Sequence, residues 1–326
     1  MSVATYTSIC SAFRLGDFIS AEDAGGTRNG TFVFWTSCGK WLARQRFAGY
    51  SSPQQLQFDH AAMTFLHRYG APVIQPRRTL NGKTCWENEE SIWEVFPFIE
   101  GRHLYDGNAE DVIALGKALA RFHSVGKEFS LHHEKISPRG ETSPAFLRER
   151  LKRIEAESPT IKDVLSSYRE AMEHAAEALD DATYNSLPHT LIHGDVQPAN
   201  LLLVKSTFSA FVDFDWCAWR ARIYDLGFAI LTCCARHKST FDGSDIWSLT
   251  QTPYFENGVV EQFVNSYQEN GEVLTPSEKS ALHPQIILTW CHIRLGGALK
   301  VVPERRSEFL SRASDLGDFR GIDWGI

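Results

Sequence analysis

A chain of 326 residues is longer than one small core accommodates, so a body of two lobes is the expectation. Hydrophobic residues at 43% and charged residues at 22% are the balance of a globular protein, and no run approaches the roughly 20 apolar residues of a membrane span. A net charge of −7 argues against nucleic acid as the partner. The start, Met1-Ser2-Val3-Ala4-Thr5-Tyr6, has neither the basic opening nor the apolar run of a secretory signal, so a cytoplasmic location is expected. The seven cysteines are scattered and lack C-x-x-C spacing, which points to reduced thiols rather than zinc ligands or a redox pair.

In chain order, glycines across 25–30 punctuate the sequence before the β-branched and aromatic run 31–36, and Gly39 leads into 40–47, a hairpin pattern. Over 52–69, Leu56, Phe58, Ala62, Phe65 and Leu66 recur at helical spacing with Pro53 in the first turn, so one helix is expected among the strands. Strand patterns follow at 83–86 and 91–96. Near Gly101 the pattern changes to long helices, predicted at 110–123, 145–157, 161–182, 259–269 and 277–301. The chain therefore divides into a strand-rich part, 1–96, and a helical part, 97–326.

Three short apolar runs interrupt the helical part, at 190–193, 201–204 and 210–214. The first two flank His193-Gly194-Asp195-Val196-Gln197-Pro198-Ala199-Asn200, which reads as a loop stiffened by Pro198, with Asp195 and Asn200 turned to one cleft. The third ends in Val212-Asp213-Phe214-Asp215, which brings a second acid within reach. Phosphoryl transfer needs such a set: a carboxylate to orient and deprotonate a hydroxyl, and an amide oxygen plus a carboxylate to hold Mg²⁺ on phosphates. The order H-x-D, then Asn, then D-F-x is the order of kinase signature residues.

These motifs resemble the aminoglycoside phosphotransferase and choline kinase superfamily, which carries H-G-D-x-x-x-x-N followed by D-F-D or D-F-E, and the resemblance covers most of the chain. It implies an α+β, protein-kinase-like fold of two lobes: a small antiparallel-sheet N-lobe with one helix, and a mainly helical C-lobe. It implies ATP and Mg²⁺ as cofactors and a small hydroxylated molecule as partner. By the same resemblance Asp195 is the catalytic base, His193 supports its loop, Asn200 and Asp213 bind magnesium, and Asp225 in Tyr224-Asp225-Leu226-Gly227 anchors the loop from below. Asp215 stands where protein kinases have the glycine of D-F-G, as is usual for small-molecule kinases.

For the nucleotide, the glycine-rich turn makes Gly26, Thr27 and Asn29 candidates for phosphate contact, since glycine lets backbone N–H groups approach closely. The next strand offers Arg44 where the family has lysine or, in some branches, arginine, and Arg46 on the same strand face is the alternative. Asp59 on the helix is the acid that aligns with this cation, unless it is a surface acid. Glu94-Val95-Phe96-Pro97-Phe98 resembles the hinge, where backbone groups would read the adenine edge and aromatic side chains, Phe96 and Phe98, would flank it. The charged run 148–153 reads as a solvated helix face.

For the acceptor, Asn29, the stretch 115–123, Tyr224-Asp225-Leu226, Ser266-Tyr267-Gln268 and 274–278 are similar to the type II homoserine kinase branch, which implies a homoserine-like amino alcohol or a sugar. The alternative is an antibiotic kinase. A polycationic aminoglycoside calls for an acid cluster, whereas the late helices offer Trp290, His292 and Arg294. Trp290 and Arg294 are acceptor candidates or plain packing residues, and Trp216 and Trp219 are candidate walls of the acceptor pocket. A pseudokinase is the reading of another class: arginine at position 44 favours it, and intact Asp195, Asn200 and Asp213 oppose it. A protein kinase is disfavoured because no Ala-Pro-Glu segment follows Asp213.

Overall fold

The computed structural model describes residues 3–25, 29–88, 91–130, 135, 142–238 and 245–312. It begins with a helix the sequence pattern did not suggest, α1 (Val3–Phe13). β1 (Phe18–Gly25), β2 (Gly30–Thr36) and β3 (Gly39–Gln45) follow, then α2 (Pro53–Arg68), β4 (Trp86–Glu87) and β5 (Ile92–Pro97). The strands form one antiparallel sheet in the order β1-β2-β3-β5-β4.

Alternation along the strands decides what each face does. Phe34, Ala43, Trp93 and Val95 point to one face and close a core with Ile9, Cys10 and Phe13 of α1. The sheet lobe therefore has two helices, not one. The ring of Tyr6 packs among Phe18, Phe32, Phe34 and Trp93, and this aromatic cluster makes a helix out of a segment rich in Thr and Ser. On the other face of the sheet, Arg44 and Arg46 are buried together with Glu94. α2 starts with a reciprocal capping box between Ser52 and Gln55 and has Pro53 in its first turn. Its buried Phe58, Ala62, Met63 and Leu66 join the core of the helical lobe, so α2 is the element through which the two lobes pack.

The helical lobe runs β6 (Arg102–His103), α3 (Ala109–Gly126), α4 (Pro144–Glu157), α5 (Lys162–Ala178), α6 (Asp181–Ser186), β7 (His189–Ile192), β8 (Leu201–Val204), β9 (Thr207–Phe211), β10 (Ala218–Ala221), α7 (Ile223–Ala229), α8 (Val259–Asn270), α9 (Pro276–Ala298) and α10 (Arg306–Arg312). The single helix expected over 161–182 is two, because the Asp180 side chain accepts from the Thr183 N–H and starts a new helix at 181. β6, β8 and β9 form a small sheet, and β10 pairs antiparallel with β7, Ala218 opposite Ile192. These short strands hold the loops that matter for chemistry against the helical core. Among the described residues no helix is long and apolar enough to cross a membrane.

Candidate active site

The loop between β7 and β8 is held from beneath by one buried carboxylate. Asp225, on α7 and fully buried, accepts the backbone N–H of His193 (2.7 Å) and of Gly194 (2.9 Å) and the Nε2–H of His123 (3.1 Å). Gly194 has φ +78°, and a Cβ there would stand 2.3 Å from the Trp216 carbonyl oxygen, so only glycine lets the loop lie this close to the segment after Asp215. His193 is itself fully buried. Its Nε2 faces the Val212 carbonyl at 2.9 Å and so carries the proton, and its Nδ1 faces the Asp195 N–H at 3.3 Å. It therefore fastens the loop to the Asp213 strand end and does not reach the cleft as a reacting group.

Asp195 Oδ2 accepts from the side-chain amides of Gln197 and Asn200, each at 2.9 Å. Asn200 Nδ2 also donates to the Asp195 carbonyl at 2.9 Å, and Pro198–Asn200 forms a single 3-10 turn that fixes this geometry. With its amide nitrogen engaged in this way, Asn200 has its Oδ1 left for a hard cation. Val212 N–H donates to the Asn200 carbonyl at 3.0 Å, which docks Asp213 beside the loop. Asp213 sits at φ +67°, a conformation that non-glycine residues adopt rarely and that recurs at functional sites.

Beyond Asp213 lies a dense charge cluster. Arg44 and Glu94 are register partners across β3 and β5, and their side chains meet at 3.4 Å. Arg44 Nη2 also reaches Asp213 (2.9 Å) and Asp215 (2.5 Å). Arg46 binds Glu94 (2.7 Å), Asp59 (3.0 Å) and Asp215 (3.3 Å). His60 faces Glu94 at 2.7 Å from Nε2 and the Thr84 hydroxyl at 2.5 Å from Nδ1. Lys135, from the connection after α3, is buried against Asp59 (2.5 Å) and donates to the carbonyls of Asp215 (2.6 Å) and Phe214 (3.3 Å).

Burial works against the charge on Glu94, but Arg46, the His60 hydrogen bond and Arg44 outweigh it and hold its carboxyl well below the usual range. Burial likewise opposes ionisation of Asp215, and Arg44 and Arg46 overcome it. The same carboxylates raise Arg44 above the usual guanidinium value although burial pulls it down. For Asp59 and Asp213, by contrast, burial outweighs the neighbouring cations and pushes the carboxyl up.

The expected pairing of Arg44 with Asp59 is corrected: Asp59 binds Arg46 and Lys135. Arg46 lies at the end of β3 nearest the chain that leads into α2, whereas Arg44 lies one pleat further toward Asp213. The fully buried side chain of Glu94 serves the two arginines and His60. Phe96 is packed in the hydrophobic core, and Phe98 is half-buried with Lys40 Nζ 3.8 Å from its ring centroid.

Asn29 accepts the Phe47 N–H (2.7 Å) and donates to Asp215 (2.9 Å), so it ties the start of β2 to the charge cluster. Gly26 and Thr27 fall outside the described residues. Trp216 is half-buried and Trp219, on β10, is exposed. Trp290 is a core residue, 2% exposed and stacked on Tyr168 at 5.0 Å, and Arg294 is buried beside it and donates to the Gln251 carbonyl at 2.9 Å. Both are buried on α9 within the helical packing. The sequence pattern missed Gln197, His60, His123 and Lys135. Gln197 could have been found, since it lies inside the loop motif next to Asp195, whereas Lys135 lies in an unpatterned connection.

A family model for the phosphotransferase enzyme family matches residues 21–247, which span the sheet, the loop and the charge cluster. The chain belongs to the phosphotransferase enzyme family. It is a small-molecule kinase acting on a hydroxyl group. Similar curated proteins include a homoserine kinase of Methylorubrum populi, 28% identical over 230 residues, 70% of this chain and 69% of that one. Among solved structures, a microcompartment-associated aminopropanol kinase superposes with a TM-score of 0.71 at 16% identity, covering 97% of this chain and 96% of that chain. A spectinomycin phosphotransferase in complex with ADP and spectinomycin gives 0.65 at 14% identity, covering 97% and 94%. At these identities the structural matches establish the protein-kinase-like fold.

Proposed function

We propose that this chain transfers the γ-phosphoryl group of ATP to the hydroxyl of a small amino alcohol of the homoserine type. The observation that carries the reading is the Asp195 carboxylate, fixed by Gln197 and Asn200, on a loop to which the strand end carrying Asp213 is docked. Asp195 takes the hydroxyl proton as the acceptor oxygen forms its bond to the γ-phosphorus, and the bond from that phosphorus to the β-γ bridging oxygen breaks with its electron pair leaving on ADP. The Gln197 and Asn200 amides hold the carboxylate in one orientation. Asn200 Oδ1 and the Asp213 carboxylate fit Mg²⁺, being hard oxygen donors with the Asn200 nitrogen already engaged. The metal would neutralise charge on the phosphates. Arg44 is the cation nearest that position.

The homoserine kinase name of the curated relatives and the aminopropanol kinase name of a structural neighbour support an amino alcohol as acceptor. The test is kcat/KM measured by phosphoester formation across L-homoserine, aminopropanol, ethanolamine, choline, a hexose and an aminoglycoside. The reading predicts that homoserine or a close amino-acid alcohol exceeds the aminoglycoside by at least about a hundredfold, the scale on which a pocket discriminates by size alone, with unpaired polar groups adding to it. A higher kcat/KM for the aminoglycoside would replace the amino-alcohol reading with an antibiotic kinase.

A further inference from the structure

The charge cluster is not uniformly compensated. Glu94 has Arg46 and His60 besides Arg44, Asp59 has Arg46 and Lys135, and Asp215 has Arg46 and Asn29 besides Arg44. Asp213 differs: among the described residues its one ion-pair partner is Arg44. It is also the accessible member, its side chain 36% exposed where Glu94, Asp59 and Asp215 are 0–3% exposed. If Arg44 leaves, every carboxylate except Asp213 still has a partner.

We propose that Arg44 is an exchangeable internal counter-ion that competes with a divalent cation for Asp213, so that a bare metal ion binds poorly until nucleotide phosphates draw the guanidinium away. The inference rests on the reading of Asp213 as a metal ligand. An arginine suits this role better than a lysine because its planar fork reaches Asp213 and Asp215 from one nitrogen while the other nitrogen stays on Glu94. Its movement toward phosphate exchanges one set of charge-assisted hydrogen bonds for another, and a cation arriving with the nucleotide takes over the charge on Asp213. The consequence is coupled binding: nucleotide and metal each favour the other through Arg44, with reciprocal effect.

The test is Mn²⁺ binding to the nucleotide-free protein, read as the free-ion electron paramagnetic resonance signal, for wild type, Arg44→Met, Arg44→Lys and Asp213→Asn, each checked for a native thermal transition. Arg44→Met is expected to bind Mn²⁺ roughly tenfold more tightly than wild type, within the about 5–150-fold span of such couplings. Arg44→Lys, whose single ammonium cannot hold Glu94 and Asp213 together, is expected to fall between them and serves alone if the methionine variant does not fold. Equal Mn²⁺ affinity in wild type and the folded Arg44 variants, with binding lost in Asp213→Asn, overturns the counter-ion role and leaves the metal site standing. Unchanged binding in Asp213→Asn removes the metal-ligand reading itself.

Discussion

Asp195→Asn is expected to lower kcat by about 10²–10⁴, the contribution typical of a positioned general base, while nucleotide affinity changes less than about threefold. The substitution is nearly isosteric. In the folded protein Oδ2 accepts from both Gln197 and Asn200, so the asparagine oxygen takes that position and its NH₂ group takes the place of the other carboxylate oxygen. A donor then stands where a proton acceptor is required. The charge cluster of Arg44, Arg46, Glu94 and Asp215 is not touched by the change, so the elements expected to hold phosphate persist. The check is a rapid-quench measurement of the chemical step together with a nucleotide-binding titration. A variant within about tenfold of the wild-type kcat would mean that Asp195 is not the base.

The largest structural loss is expected from Asp225→Ala. Three donors converge on this carboxylate: two loop N–H groups and the His123 imidazole, in turn 2.9 Å from the Tyr267 hydroxyl. Removing the acceptor leaves these donors buried without a partner, at about 1–3 kcal/mol each, and a cavity beside them. The loss should be roughly 3–5 kcal/mol, in the range seen when one member of a buried ionic network is removed. Urea unfolding should show a lower midpoint, and kcat should fall with it because His193 and Gly194 lose their tether. Asp225→Asn, which keeps one accepting oxygen, should lie between alanine and wild type. A full-stability alanine variant would mean that the loop is held by His193 and Gly194 packing alone.

The parts of the site that were legible in the sequence are those written within a few residues of one another. Asp195 and Asn200 lie in a loop between two apolar strands, and Pro198 sets the turn between them, so their proximity is local. Asp213 ends another apolar strand, and His193 is joined to its neighbour Val212. What the sequence pattern could not decide is which charges meet across the lobes. Period-two alternation puts Arg44 and Arg46 on one strand face, but the choice between them for Asp59 depends on how α2 packs on the helical lobe. Glu94 is a related case. Its register opposite Arg44 makes its side chain an ionic partner, a pairing the strand pattern alone does not reveal. Lys135 and Asn29 each arrive at the cluster from far away in sequence, Asn29 reaching Asp215 and Lys135 reaching Asp59, and carry no periodic signal. α1 was hidden for the opposite reason: its Thr- and Ser-rich sequence is a poor helix former on its own, and packing on the aromatic face of the sheet, which it buries, is what stabilises it.

The central claim is that this cleft moves a phosphoryl group to an acceptor hydroxyl, and the most direct measurement is the fate of the terminal phosphate of ATP. With γ-labelled ATP, Mg²⁺ and the acceptor favoured in the panel, the label should appear in an acceptor phosphoester in one-to-one ratio with ADP, and the transfer should be lost in Asp195→Asn. Label released only as inorganic phosphate, or transfer undiminished in Asp195→Asn, would contradict the account.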